Sequence, residues 1–245
     1  MLTDADIRLP PPFRLVRLRE VGDAFAYAKT NAAEDGAGTL VFVGRFDLAE
    51  FALVLEPDEP LRLARRTFYA CMAALADTLA AHAPPDTEIR IDWPDSVSVN
   101  RGLVGGGQMA WPAGADENEP PAWLAFGAMV RLVSMTGTDG GLHPFSAALE
   151  DEGFDESGAE RLIDSYARHF MVMLDAWREQ GFAAVAKSYL RRLAPESAEG
   201  LRRDIGENGD LLLRRMGKTQ VERRALVSAI SNASWLDPAT RGPRL

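Results

Sequence analysis

Short apolar runs bounded by turn residues characterise the first half of the chain. Such runs are typical of buried β-strands, and we predict strands at residues 13–18, 39–43, 51–55, 88–91, 97–99, 108–111 and 123–133. Helical spacing occurs twice between them. One helix is predicted at residues 21–33, and an amphipathic helix that packs on a sheet at residues 61–82, where apolar positions recur every three or four residues.

The pattern changes in the second half of the chain. Residues 159–179 and 182–193 have helical spacing, and residues 195–200 resemble a linker. Three leucines at 211–213 lie between a turn and two arginines, which indicates a small β module. Because strands and helices do not alternate regularly, this order predicts an α+β fold rather than a doubly wound one. We expect a main domain at residues 1–198 and a small C-terminal β domain at residues 199–245.

The acidic balance of the chain limits its partners. Lys and Arg total 27 and Asp and Glu total 36, which gives a formal net charge of −9. Nucleic-acid affinity rests on cationic patches, so no nucleic-acid partner is expected, whereas a small anion can still bind through a few local arginines. The sequence has neither an apolar run of bilayer length nor the pattern of a signal peptide. We therefore expect a cytoplasmic protein without membrane contact.

Metal and thiol chemistry have little support in the sequence. His82, His143 and His169 are far apart and none has a partner at ligand spacing, so no metal site is predicted. The single cysteine, Cys71, cannot form an intrachain disulfide. It lies within an apolar helical pattern, where a small core residue is expected.

The most distinctive stretch combines a Trp-Pro-Asp motif with a run of three glycines. Trp93 and Asp95 precede a predicted strand, and a tight hairpin through Asn100, Arg101 and Gly102 would bring the glycines beside them; the glycines are Gly105, Gly106 and Gly107. Glycine lets a ligand approach the main chain closely, so one ligand could touch both segments. The alternative is that the tryptophan packs in the core, the aspartate caps a turn and the glycines form a flexible turn.

Two arginines are candidates for binding an anion. Arg45 follows an apolar strand, where it could bind a phosphate or carboxylate through two parallel hydrogen bonds. An ion pair with Asp47 or Glu50 is an equally good interpretation. Arg131 interrupts a nearly apolar strand, and a buried arginine must find an anion, either a ligand or a carboxylate of the chain.

These segments together resemble the biotin/lipoate protein ligase family. Residues 92–96, Asp-Trp-Pro-Asp-Ser, align with the family's Lys-Trp-Pro-Asn-Asp motif, and residues 103–107 align with Lys-x-x-Gly-Ile. The predicted strand at 123–133 resembles the Gly-Ile-Gly-Ile-Asn strand, with Arg131 where Asn is usual. Residues 205–212 look like the start of the small C-terminal β domain of biotin ligases. The resemblance implies a class II synthetase-like mixed β-sheet flanked by helices.

The family resemblance also implies a reaction. Such ligases use ATP and Mg²⁺ to activate the carboxylate of biotin or lipoate as an acyl-adenylate, and then transfer the acyl group to a lysine of a carrier domain. Here the two motif lysines are replaced by Asp92 and Leu103, and the family's arginine-rich glycine loop is reduced to Gly44-Arg45-Phe46-Asp47. The usual adenylation is therefore expected to be lost unless Arg45, Arg101 or Arg131 supplies the charge.

Two functional hypotheses follow from this comparison. In the first, the protein is a ligase or acyltransferase in which Arg45 and Arg131 clamp anions, Trp93 and Asp95 shape the cofactor side, and the backbone amides of Gly105–Gly107 face a phosphate or carboxylate. In the second, the protein is a non-catalytic binder of a small carboxylate or of a biotinyl or lipoyl carrier domain.

Overall fold

A computed structural model describes residues 7–134, 145–154, 158–196 and 200–245. The main sheet contains β1 (Arg14–Leu18), β2 (Thr39–Val43), β3 (Leu48–Leu55), β4 (Ile89–Asp92), β5 (Ser96–Val99), β6 (Gly102–Ala110) and β7 (Leu124–Arg131). The order across the sheet is β1-β2-β3-β7-β6-β5-β4. Only the β1–β2 pair is parallel among these neighbours, so the sheet is mixed.

Helices cover the main sheet on both faces. They are α1 (Ala24–Asp35), α2 (Leu61–Ala64), α3 (Thr67–His82), α4 (Ala159–Gln180) and α5 (Phe182–Arg192). Helices α3, α4 and α5 pack together over one face, which we call the α3 face. Helix α1 lies on the opposite face, which we call the α1 face. The mixed sheet and its flanking helices confirm the predicted α+β class.

Helix α1 approaches the sheet closely because its buried side is made of alanines. Ala24, Ala28 and Ala32 recur every fourth residue and are fully buried. Asp23 caps the start of the helix, and its side chain accepts a hydrogen bond from the amide of Ala26. Gly36, which has a positive φ of 74°, caps its end.

The helix predicted at residues 61–82 differs from the structure in two ways. It is divided at Arg65 and Arg66, and the amides of Arg66, Phe68 and Tyr69 donate to carbonyl oxygens three residues earlier instead of four. Helix α3 is also not amphipathic in the predicted sense, because residues 68–76 are all buried. The side turned away from the sheet is covered by α4 and α5, whose positions the local pattern does not reveal.

The remaining chain forms a small sheet and then returns to the main one. Strands β8 (Leu201–Ile205), β9 (Leu211–Arg215) and β10 (Val221–Arg224) pair in the order β10-β9-β8, followed by α6 (Leu226–Ile230). This confirms the predicted small β module. Residues 231–245, which we call the strap, then carry β11 (Leu236–Asp237) and β12 (Gly242–Pro243), and β12 contacts β6 and β7.

Some expectations fall outside the described residues. The boundary between residues 198 and 199 is one of them, so the division of the chain into two domains stays a prediction. His143 also lies outside the described residues. No helix among the described residues is long and apolar enough to cross a membrane.

Candidate functional site

The predicted hairpin brings the two distinctive motifs together. Strands β5 and β6 pair through a turn in which Asn100 and Arg101 both have positive φ, 47° and 76°. Ser96 pairs with Gly106, and the amide of Gly107 donates to the carbonyl oxygen of Asp95 at 2.8 Å. Strand β6 extends over residues 102–110, further than the predicted strand at 108–111, so the glycines lie inside a strand.

Asn100 and Arg101 have different surroundings in this turn. The side-chain Oδ1 of Asn100 accepts from the backbone amide of Glu88 at 3.0 Å, and its Nδ2 donates to the Glu152 carboxylate at 2.6 Å. These bonds fix the turn. Arg101 is exposed and makes no hydrogen bond or ion pair with another residue in the described ranges.

Trp93 and Asp95 are both anchored by residues distant in sequence. The Trp93 indole Nε1 donates to the Tyr69 hydroxyl at 3.3 Å. The Asp95 carboxylate is 1% exposed and accepts from the backbone amide and the hydroxyl of Ser234, at 2.9 Å and 2.7 Å. Burial raises the pKa of Asp95, and the hydrogen bonds from Ser234 and Ser96 oppose that shift. Asp95 thus holds the strap to the loop before β5.

The three glycines make room for neighbours from different parts of the chain. A Cβ on Gly105 would lie 1.9 Å from the carbonyl oxygen of Met129, on the backbone of β7. On Gly106 it would lie 2.2 Å from the carbonyl oxygen of Asp95 and 2.4 Å from Cδ1 of Trp235. On Gly107 it would lie 2.6 Å from Sδ of Met72. All three positions are therefore in close contact with the chain itself. Whether their amides also face a ligand stays a prediction.

Arg45 adopts the ion-pair arrangement that the sequence left open. Its Nε and Nη2 donate to the two carboxylate oxygens of Asp47 at 3.0 Å and 2.8 Å, and Nη1 lies 3.9 Å from Glu50. The hydrogen bond between the two side chains is the main cause of both pKa shifts. It raises the pKa of Arg45 and lowers the pKa of Asp47. Glu50 is 2% exposed, and burial raises its pKa.

Substituting Asp47 with asparagine is expected to lower the free energy of unfolding by about 0.5–1 kcal/mol at pH 7, the range of a partly exposed ion pair. The folded pKa of Asp47 is depressed, so its contribution is present above the ordinary aspartate value of about 4 and is lost as the pH falls through the folded value. Urea unfolding of wild type and Asp47→Asn across this range measures it. The exposed Asp58→Asn variant is the control. The assignment would be contradicted if the difference in free energy of unfolding between wild type and Asp47→Asn grew as the pH falls.

Arg131 is buried and contacts oxygen atoms of uncharged groups. It is 8% exposed, and Nη1 donates to the Ser146 hydroxyl and, at 3.4 Å, to the carbonyl oxygen of Ala147. Nη2 donates to the carbonyl oxygens of Pro243 and, at 3.2 Å, Arg244 in the strap. Burial lowers the pKa of Arg131. Within the described part of the chain, no carboxylate forms an ion pair with it.

The three arginines of the predicted site share one end of the main sheet. Arg45 follows the end of β2, Arg101 lies in the β5–β6 turn, and Arg131 ends β7 opposite Leu48 at the start of β3. Trp93 and Asp95 lie at the other end of β5. The strap runs between the two groups, because Ser234 is bound to Asp95 and Pro243 is bound to Arg131.

Sequence reasoning missed the residues that complete this region. Ser234 and Trp235 are more than 120 residues from Asp95 and Gly107, to which they are hydrogen-bonded, and they carry no motif. Trp235 is 1% exposed, and its Nε1 donates to the carbonyl oxygen of Gly107 at 3.0 Å. A lone tryptophan in a polar segment was the available signal, since a large aromatic side chain normally finds a site of burial.

Comparison with known structures first defines the fold. The fold is similar to that of biotin protein ligases. The Aquifex aeolicus enzyme in complex with biotin and ATP is 14% identical, with a TM-score of 0.62 over 87% of this chain and 95% of that one. The Leishmania major enzyme in complex with biotinyl-5-AMP is also 14% identical, with a TM-score of 0.56 over 88% of this chain and 100% of that one.

A further structure is more similar in sequence. A biotin protein ligase-like protein of unknown function from Silicibacter sp. TM1040 is 25% identical, with a TM-score of 0.76 over 91% of this chain and 99% of that one. Comparison with curated protein sequences found no match. A model of the biotin/lipoate A/B protein ligase family matches residues 9–191. The chain belongs to this family, as the Trp-Pro-Asp and glycine motifs predicted.

Proposed function

We propose that this protein binds a small carboxylic acid of the biotin or lipoate type and does not activate it with ATP. The distribution of charge carries the proposal. Asp92 and Leu103 occupy the positions of the two motif lysines. Arg45, which remains from the glycine loop, is bound by both carboxylate oxygens of Asp47 and lies near Glu50.

Adenylation makes demands that these residues do not meet. A carboxylate and an α-phosphate repel each other as they meet, and each positioned donor that offsets such charge is worth about 3–4 kcal/mol. Asp92 adds negative charge at a position where the family has a cation, and the charge of Arg45 is already balanced. The residues present therefore do not fit the phosphates of ATP or a Mg²⁺ complex of them, and we assign no adenylation step to this site.

Binding a carboxylate alone requires less positive charge. One guanidinium can hold a carboxylate through two parallel hydrogen bonds. Arg131 suits this role, because its described partners are a hydroxyl and carbonyl oxygens, which are weaker partners than a carboxylate. Trp93, Asp95, Asn100 and Gly105–Gly107 are the other proposed contacts.

The experiment combines calorimetric titration with ATP–pyrophosphate exchange, using biotin, lipoate and octanoate in turn. We expect one of these acids to bind the wild-type protein and none to support exchange. Arg131→Ala is expected to weaken binding by at least about tenfold, because it removes the one charge that meets the carboxylate. The exposed Arg178→Ala variant is the control. Exchange above background would overturn the proposal. Binding unchanged in Arg131→Ala, with only a lower melting temperature, would make Arg131 a structural residue.

A ligase function is the second candidate, and the position of Arg101 favours it. Arg101 is exposed, lies at the same end of the sheet as Arg131, and has no ion-pair partner in the described residues. Two cations could then offset the carboxylate and the phosphate, with a carrier-domain lysine as the acceptor. The same exchange measurement decides between the candidates.

A further inference from the structure

The strap covers three of the proposed ligand contacts, Asp95, Gly106 and Arg131. Trp93 instead bonds to Tyr69 of α3 on the opposite face of the sheet. Only Trp235 and Pro243 are buried among residues 231–245, and the rest of the segment is exposed or half-buried. Trp235 packs with Leu48 and Met129 in a cluster separate from the two larger cores. The strap is therefore attached through a few contacts on the α1 face of the main sheet.

Each anchor of the strap makes hydrogen bonds to a residue of the predicted site. The amide and hydroxyl of Ser234 donate to the Asp95 carboxylate, and the indole Nε1 of Trp235 donates to the carbonyl oxygen of Gly107. The indole ring lies over Gly106, where a Cβ would meet it at 2.4 Å. The carbonyl oxygens of Pro243 and Arg244 accept from Arg131.

A ligand with a flat apolar body and an anionic end could replace these contacts. Its body would take the place of the indole ring, which also supplies one N–H donor. Its anionic end would take the place of the two carbonyl oxygens at the guanidinium, where an anion binds more strongly. A buried guanidinium with only uncharged partners gains from exchanging them for a carboxylate, because the charge has been removed from water without a counter-charge.

We propose that the strap closes this site and that a carboxylic acid enters only when residues 231–245 leave the sheet. The inference rests on the proposed function, since it concerns access to the same site. Local opening has a physical basis, because segments with few buried apolar contacts open at lower free energy than the core. The equilibrium between closed and open strap then sets the apparent affinity. This affinity is the affinity of the open form multiplied by the fraction of molecules in which the strap is open.

A reversible disulfide tests this directly. The hydroxyl oxygens of Ser96 on β5 and Ser234 in the strap are 2.9 Å apart, so cysteines at both positions can form a bond that holds the strap closed. The native Cys71 is buried and does not compete for the new thiols. The Ser96→Cys/Ser234→Cys protein is titrated with biotin, lipoate and octanoate before and after reduction with dithiothreitol. The Ser96→Cys single variant is treated in the same way as the control.

We expect the oxidised double variant to bind the acid at least about tenfold more weakly than the reduced one, because the bond removes the open state. The single variant should show no such change. Equal affinity in the oxidised and reduced forms, with the disulfide confirmed by mass spectrometry, would overturn the inference, because the acid would then enter without strap movement.

Hydrogen exchange separates this inference from the proposed function. If no acid binds any variant, the proposed function fails, and the strap is judged by exchange of peptides from residues 231–245 and 102–110. In the reduced protein, faster exchange in the strap than in the β6 peptide would support opening of the strap as a unit, provided that the disulfide slows it. Exchange in the strap only at the rate of the β6 peptide would overturn it, because the strap would then leave the sheet only when the whole protein unfolds.

Discussion

Replacing Gly105 with alanine is expected to prevent stable folding of this protein. The new Cβ would lie 1.9 Å from the carbonyl oxygen of Met129 and 3.0 Å from Cα of Val130. Both atoms belong to the backbone of β7, which is paired on its other side with β3 and has no free direction in which to move. The clash can be relieved only by separating β6 from β7 in the middle of the sheet.

The expected loss is about 4 kcal/mol or more, the range reached only by severe changes in a core, against a total stability of about 5–15 kcal/mol. Soluble yield and urea unfolding followed by circular dichroism measure it. Gly44→Ala is the matched control, because its nearest atom would be the carbonyl oxygen of Leu18 at 3.9 Å, an ordinary contact. A Gly105→Ala protein within about 1 kcal/mol of wild type would contradict the close approach of β6 and β7.

The glycine run shows how far local sequence could lead. The hairpin was predictable, because a turn with Asn100, Arg101 and Gly102 between two apolar runs has a recognised form. The reason for three glycines was not, since their neighbours come from β7, the strap, α3 and the loop before β5. None of these neighbours is adjacent in sequence, so the cost of the glycines could equally be explained by a ligand.

The two arginines show the same distinction. Asp47 is two residues from Arg45, and the sequence therefore offered the ion pair as an alternative to anion binding. The partners of Arg131 in the strap are more than 100 residues away. Sequence reasoning correctly required a partner for a buried arginine, but it expected an anion, whereas the described partners are uncharged oxygen atoms.

The same limit applies to the helices. The apolar spacing of residues 61–82 predicted one buried side, yet α3 is enclosed by the sheet, α4 and α5. Its small residues, such as Ala70 and Ala73, carry no strong periodic signal. Their burial depends on neighbours contributed by the second half of the chain.

The family membership and the charge pattern point in different directions, and the structure explains how both can hold. The sheet, the hairpin and the Trp-Pro-Asp turn are retained because they form the core on which the site is built. The lysine positions are not needed for that core. Asp92 is exposed and Leu103 packs near the strap, so both substitutions are compatible with the fold while removing charge from the site.

Gly107→Ala is expected to lower the free energy of unfolding by about 1–3 kcal/mol, the usual cost of adding volume to a packed core. Its Cβ would lie 2.6 Å from Sδ of Met72 and 2.6 Å from Cε2 of Phe126. The methionine side chain is flexible and can move aside. The Phe126 ring is held more firmly, because it packs edge-on against Phe68 and in parallel with Tyr166.

A double-mutant cycle with Phe126→Leu identifies the ring as the obstacle. Leucine lacks the outer ring atoms that the new Cβ would meet, so the two substitutions together should cost less than the sum of each alone, by at least about 1 kcal/mol. Phe170→Leu is the matched control, because its ring is separated from Phe126 by the stacked ring of Tyr166, and it should combine with Gly107→Ala additively within about 0.5 kcal/mol. Urea unfolding of the single and double variants gives these energies. If Gly107→Ala and Phe126→Leu were additive, the glycine would not be required by the packing of this ring, and the open interpretation, that Gly107 admits a ligand, would gain support.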